Sequence, residues 1–227
     1  VDGILDSAMN YPFRNAIINF IRGWDNGPGL KEAVMTIAEN YPPQVVLCNM
    51  NLLGTHDTAR ILTLLGDGGK GECLPNDTLA HLSLTEEERK NALTLIKLAS
   101  VLQFTAYGVP SVYYGDEAGQ EGYGDPFCRM PFPWGREDAD LLSHYRALGK
   151  LRREHPALTD GDFHFLEHDA TSFVFERKTK GERILVFANM GEERAFRVPP
   201  KSINALTGEV LGTSLKLGRA EWAILLA

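Results

Sequence analysis

Two short stretches of this chain carry residue types suited to acting on a ligand. In the first, the apolar run Val45-Val46-Leu47-Cys48 leads through Asn49-Met50-Asn51-Leu52-Leu53-Gly54-Thr55 to the pair His56-Asp57. An imidazole and a carboxylate directly after a strand-like run stand at the C-terminal end of a strand. Parallel α/β sheets and barrels gather their ligands and chemistry there. In the second, Asp125 and Arg129 lie four residues apart in Gly124-Asp125-Pro126-Phe127-Cys128-Arg129. They supply oriented acceptors and donors, or form a loop salt bridge. The first pair has plain structural alternatives too. Asp57 can cap a helix starting near Thr58, and His56 can be a satisfied polar side chain.

The elements that must position these residues alternate strand and helix. Residues 3–9 are a predicted short strand. Pro12 can open a helix with Phe13, Ile17, Phe20 and Ile21 on one face. Gly27-Pro28-Gly29 reads as loop and 30–39 as helix, ended by Pro42-Pro43. Residues 45–50 suit a strand buried on both faces. Thr85-Glu86-Glu87-Glu88 has the form of a capping box, opening a well-buried helix that runs to about Ala106. Residues 109–114 read as strand, 116–134 as irregular and 138–154 as helix. From Gly161 the period becomes two, with short strands at 163–166, 172–175, 184–187, 195–198 and 222–225. The strand–helix alternation, with long connections, argues for a parallel sheet followed by a small all-β tail. Gly66-Asp67-Gly68-Gly69-Lys70-Gly71 lacks the ending of a phosphate-binding loop and is expected to be a flexible loop.

The chain has 227 residues and a formal net charge of -7. That length buries the core of one large domain, or of one domain and a small companion. The charge argues against a general nucleic-acid or anionic-membrane binder and fits a neutral substrate. Cys48, Cys73 and Cys128 form no Cys-x-x-Cys, so free thiols in a reducing compartment, and a cytoplasmic location, are expected. No segment is apolar enough to span a bilayer. The acidic residues are dispersed, and neither a metal nor a cofactor is expected. The chain begins at Val1 inside a strand-like stretch with no signal peptide visible. This suggests a piece of something longer.

In order, the chain reads strand, Gly54-Thr55-His56-Asp57-Thr58-x-Arg60, long helix, then Gly108-Val109-Pro110-Ser111-Val112-Tyr113-Tyr114-Gly115-Asp116-Glu117. This series resembles the alpha-amylase family of glycoside hydrolases, above all its neopullulanase, cyclomaltodextrinase and maltogenic amylase branch. Ala8-Met9-Asn10-Tyr11-Pro12-Phe13 and the Asp125–Arg129 stretch support the resemblance. It covers the whole chain but only the C-terminal part of the family's domain. It implies an α/β fold in which residues 1–157 are the C-terminal part of a (β/α)8 barrel. Strands six to eight would fall at 3–9, 45–50 and 109–114, and residues 158–227 would form a small all-β sandwich.

The resemblance also implies a retaining double displacement on an α-glucan such as cyclodextrin, pullulan or starch. Asp57 matches the family's third carboxylate, which stabilises the oxocarbenium-like transition state. His56 matches the histidine that donates to the sugar at the cleavage subsite. Asp125 and Arg129 match a pair that grips the same sugar. Arg60 is expected in an ion pair within the barrel rather than on substrate-site loops. Asp116 and Glu117 are expected to fix loop geometry, and His168-Asp169 to lie on the surface. Trp134 could stack on a sugar, but burial against the following helix is the expectation.

The family's nucleophile, in a Gly-x-Arg-x-Asp stretch, and its acid/base Glu have no match here. Gly135-Arg136-Glu137-Asp138 is similar only superficially, since a helix follows it and no strand precedes it. Without nucleophile and acid, two of the largest catalytic contributions are missing, so the chain alone is expected to be inactive. The open edges of a partial barrel are expected to be covered by another copy, by the missing half or by refolded loops. A non-catalytic carbohydrate-binding or interaction module is the competing reading. The retained His56-Asp57 and Asp125/Arg129 favour the enzyme for the parent protein.

Overall fold

The structure, a computed structural model, describes residues 7–71 and 73–227. Asparagines start the first two helices. Asn10 Oδ1 accepts from Phe13 N at 3.2 Å to open α1 (Tyr11–Arg22), which closes where Gly23 takes φ +71°. Asn26 Oδ1 accepts from Gly29 N at 2.9 Å, so the Gly-Pro-Gly expected as loop is instead the first turn of α2 (Gly27–Asn40).

The strand expected at 45–50 is corrected. Most of that run is helix α3 (Pro43–Cys48), with only Val46 buried, and strand β1 is confined to Met50–Leu52. Pro43 at the first helical position has its φ pre-set and no N–H to lose. A run this short does not decide between helix and strand by apolar content alone.

Next come α4 (Ile61–Gly66), α5 (Asn76–Leu79) and the long α6 (Glu86–Thr105). The capping box forms as its residues require: Glu88 N donates to Thr85 Oγ1 at 3.2 Å, and Thr85 N donates to Glu88 Oε2 at 2.9 Å. Strand β2 (Val109–Ser111) is shorter than predicted and runs parallel to β1, Met50 opposite Val109. On the other side of β1, Met9 forms a parallel bridge with Met50. The rest of the strand expected at 3–9 lies mostly outside the described residues. Asp138 caps α7 (Ala139–Glu154), and Pro156 opens a further turn, α8 (Pro156–Thr159).

The remaining strands are β3 (Asp162–His168), β4 (Ser172–Lys178), β5 (Arg183–Asn189), β6 (Arg194–Arg197), β7 (Ile203–Asn204), β8 (Ser214–Leu217) and β9 (Glu221–Leu226). Of these, β7 and β8 were not expected. Five form an antiparallel sheet in the order β3-β4-β5-β9-β7, and β6 pairs with β8. Alternation assigns the two faces of the larger sheet. Phe173, Phe175, Ile184, Val186 and Ile224 join the helices in one core. Val174, Leu185, Phe187, Ala223 and Leu225 pack with Phe196 and Leu217 of the smaller sheet. The central strands are therefore apolar on both sides.

The C-terminal end of α6 is where the parts meet. The last carbonyls of a helix have no partner within it, and here two arginines supply one. Arg152 of α7 donates through Nη1 to Phe104 O at 2.7 Å and to Ala106 O at 3.3 Å, and through Nη2 to Gly108 O at 2.5 Å. Arg177 of β4, fully buried, donates through Nη1 to Thr105 O at 2.8 Å and Leu158 O at 3.1 Å, and through Nη2 to Gly161 O at 3.0 Å. Burial pulls both guanidinium groups down to about 10, which leaves them charged at neutral pH and suited to the negative end of a helix dipole. In the same last turn, buried Gln103 donates through Nε2 to Asn51 O of β1 and Ser111 O of β2, both at 2.9 Å.

Arg177→Met leaves several buried carbonyls without donors, and a loss of about 3 kcal/mol is expected in urea unfolding. Because Arg152 and Arg177 hold adjoining carbonyls of one helix end, the double Met variant should depart from the sum of the single losses. Strict additivity would show that the two act separately.

Candidate active site

The segment 53–60 is held at both ends. Arg14 Nε donates to Leu53 O at 2.7 Å, and Arg60 N donates to Gly122 O at 2.8 Å. Between them Asp57 N donates to Thr55 Oγ1 at 3.1 Å, a local bond that turns the backbone. Asp57 does not cap a helix, since α4 starts later with Arg60 at its cap position. Its carboxylate is free for other partners.

Those partners are the residues singled out in the sequence. His56 Nε2 lies 3.1 Å from Asp57 Oδ1. Arg129 reaches Asp57 Oδ1 through Nη2 at 3.7 Å and Asp125 Oδ1 through Nε at 2.8 Å. Arg129 Nε also donates to His56 O at 3.1 Å, and Cys128 Sγ to the same oxygen at 3.2 Å. Residues 127–129 form a single 3₁₀ turn that brings both donors under that carbonyl. His56, Asp57, Asp125 and Arg129 thus share one surface, with side chains 47% to 58% exposed. Exposed ion pairs contribute little to stability. The cluster instead presents two carboxylates, an imidazole and a fork of N–H donors to a ligand from solvent.

A buried pair underlies this surface. Arg60 and Asp116, 0% and 2% exposed, approach to 3.5 Å, the ion pair expected for Arg60. Arg60 also donates through Nη1 to Tyr114 O, and its guanidinium lies 4.4 Å and 4.6 Å from the ring centroids of Tyr113 and Tyr114. Its Nε and Nη2 groups have no hydrogen-bond acceptor. Gly54 packs directly on the Asp116 carboxylate: a Cβ there would fall 2.1 Å from Oδ2. Asp116 is pushed up to about 7 by burial, against the opposing pull of Arg60 and Arg14.

Other expectations divide. Trp134 is 80% exposed, not buried against α7, and lies 4.6 Å from the Phe132 ring. Pro131 and Pro133 keep its segment out of the helix, and α7 starts only at Ala139. His168 and Asp169 lie on the surface as expected, with Asp169 accepting from Thr171 N and Ser172 N and pairing with Arg194. In the glycine-rich loop the Asp67 carboxylate accepts from Gly69 N and Gly71 N, occupying donors that a phosphate would need. All three cysteines are free. Among the described residues no group of His, Cys, Asp and Glu is placed to hold a metal ion, and no helix is long and apolar enough to cross a membrane.

Arg14, Cys128 and Thr55 were missed as parts of this site. Thr55, two residues before Asp57, carries a recognisable local turn signal. Arg14 on a helix and Cys128 in a loop carry none.

The family described as "Alpha amylase, catalytic domain" matches residues 2–139. An amylopullulanase of Thermoanaerobacter thermohydrosulfuricus is 40% identical over 184 residues, 76% of this chain and 12% of that protein. A cyclomaltodextrinase of a Bacillus species is 35% identical over 189 residues, 81% of this chain and 30% of that protein. The acarbose-soaked crystal structure of a debranching enzyme from Nostoc punctiforme superposes with a TM-score of 0.76 at 25% identity, covering 98% of this chain and 46% of that one. The chain therefore spans less than half the length of each of these proteins.

Gly54→Ala should destabilise the chain by about 1–3 kcal/mol in urea unfolding, because the added methyl drives Asp116 away from Arg60. For Asp116 the sign is set by its raised pKa. Between the ordinary carboxylate range near 4 and about 7, the unfolded chain has released a proton that the folded chain keeps. Asp116 therefore makes stability fall as pH rises through that window. The difference in stability between wild type and Asp116→Asn should shift in favour of the variant from pH 4 to pH 7, then flatten. A difference independent of pH would mean that Arg60 and Arg14 keep Asp116 ionised throughout.

Proposed function

This chain belongs to the alpha-amylase family of glycoside hydrolases, with relatives in its cyclomaltodextrinase, neopullulanase and maltogenic amylase branch, and we propose from that premise that it is the C-terminal portion of a retaining enzyme acting on α-glucans. In this reading residues 1–157 contribute about strands six to eight of a (β/α)8 barrel and 158–227 a small β-sandwich. The parent enzyme works in the cytoplasm on bonds of cyclodextrin, pullulan or starch.

The observation that carries the reading is the cluster in which Arg129 bridges Asp57 and Asp125 beside His56. Asp57 is the transition-state stabiliser. As positive charge develops at the anomeric carbon, it meets a carboxylate whose backbone is turned by the bond to Thr55 and which Arg129 approaches from the side at 3.7 Å. His56 donates to a hydroxyl of the same sugar, and Asp125 and Arg129 bind its neighbours. A neutral sugar needs such oriented donors and acceptors rather than net charge. The nucleophile and the acid come from strands that this chain does not contain, and its exposed strand face receives them. That face carries Met9, Met50 and Val109, aligned across the three strands and each between 39% and 49% exposed.

The purified chain should release no reducing sugar from cyclodextrin or pullulan. Adding a polypeptide with the first five strands of a family barrel should restore turnover, and Asp57→Asn should reduce that restored turnover at least a hundredfold. Stoichiometric turnover by the chain alone would sink the division of labour, and full activity of Asp57→Asn the role given to Asp57.

A further inference from the structure

Among the described residues Trp134 is the most exposed large hydrophobic side chain, and it is not isolated. Its ring lies 4.6 Å from Phe132 with an interplanar angle of 52°, forming a two-ring aromatic surface. The surface stands on a restrained loop. Trp134 N donates to Phe132 O and Arg136 N to Pro133 O, both at 2.9 Å. The approach to it is held from below, where Tyr114 Oη donates to Met130 O at 2.9 Å and Gln120 Nε2 donates to Met130 O and Pro131 O at 3.0 Å and 3.1 Å. A groove of about 500 Å³ opens beside Phe132 and Pro133, edged by Arg136 and by the Arg89–Glu121 pair.

This surface continues the candidate active site along the same loop. Arg129 and Trp134 are five residues apart, and five residues span at most about 17 Å. A glucan held at Arg129 therefore reaches Trp134 within a few sugar units. The chemistry fits such a ligand. A pyranose ring has an apolar face of C–H groups and a rim of hydroxyls, and an aromatic plane beside charged donors and acceptors matches both. Rigid aromatic side chains also supply contact area at low entropic cost.

We infer that Trp134 and Phe132 form an outlying sugar-binding platform that holds a glucose unit of a longer α-glucan beyond the Asp57–Arg129 site. The inference rests on the glucan reading of that site and extends it to chain-length preference. A short sugar occupies only the Arg129 end, whereas a long one touches both.

Binding of maltose and maltoheptaose to the full chain, by calorimetry and by tryptophan fluorescence, tests this. Maltoheptaose should bind at least tenfold more tightly than maltose and shield Trp134 from acrylamide. Trp134→Ala should remove that tenfold advantage and leave maltose unchanged, while Trp134→Phe should retain most of it. Trp24→Ala, at the far end of α1, is the control and should have no effect. Arg129→Ala should weaken both sugars. Maltoheptaose binding untouched by Trp134→Ala overturns the platform, whatever Arg129→Ala does. Sensitivity to Trp134→Ala without sensitivity to Arg129→Ala keeps the platform and removes the glucan reading of the Arg129 site. If neither sugar binds, both fall.

Discussion

The fold depends on how the last turn of α6 is terminated. A helix end inside a protein leaves strong acceptors facing a medium with no water to satisfy them, and each unmet acceptor is costly. Here the donors come from elements distant in sequence, Arg152 on α7 and Arg177 on β4. Neither guanidinium has a carboxylate partner among these contacts. What balances the burial of two positive charges is a concentration of carbonyl oxygens at the negative pole of a twenty-residue helix. Satisfying that pole fixes β4 against the helices, and Gln103 in the same turn fixes β1 and β2. The loops that follow both strands, and so the surface they build together, inherit their positions from this junction.

The surface itself is organised in two tiers of different character. Below, Arg60 and Asp116 are removed from water, and their neighbours are shaped to them: a glycine where only a glycine fits, and two tyrosine rings over the guanidinium. Above, His56, Asp57, Asp125 and Arg129 are half in solvent and linked by contacts that water screens. The lower tier gives direction and the upper tier stays adaptable. A binding surface needs both, since groups locked as firmly as Arg60 could not exchange partners with a ligand.

Much of this was legible in the chain because the signals were local. Thr85 and Glu88 announce the start of α6 through their own backbone, and Asp138 does the same for α7. The period-two strands after Gly161 stand out because alternate residues meet different cores. The motifs around His56-Asp57 and Asp125/Arg129 located the surface, and the spacing that suggested a pair is realised as one. What the chain concealed depends on neighbours far away in sequence. Val45 to Cys48 is apolar enough for a strand, yet Pro43 and the lack of a covering layer make it a helix with one buried side chain. Trp134 looked like core by size, but its prolines hold it outside. The two short strands β7 and β8 owe their existence to partners, β9 and β6, rather than to strong patterns of their own. Arg177 reads as a charged strand residue until the helix end it serves is in view.

The two-faced character of β4, β5 and β9 bears on how such a protein can be divided. A sheet with one greasy side can be cut from its neighbour and kept soluble. A sheet with two cannot, because removing residues 1–157 would put Phe173, Phe175, Ile184, Val186 and Ile224 into water together. The β region is therefore an inseparable passenger of the helices: any rearrangement of genes that carried it elsewhere would have to bring a new apolar bed with it.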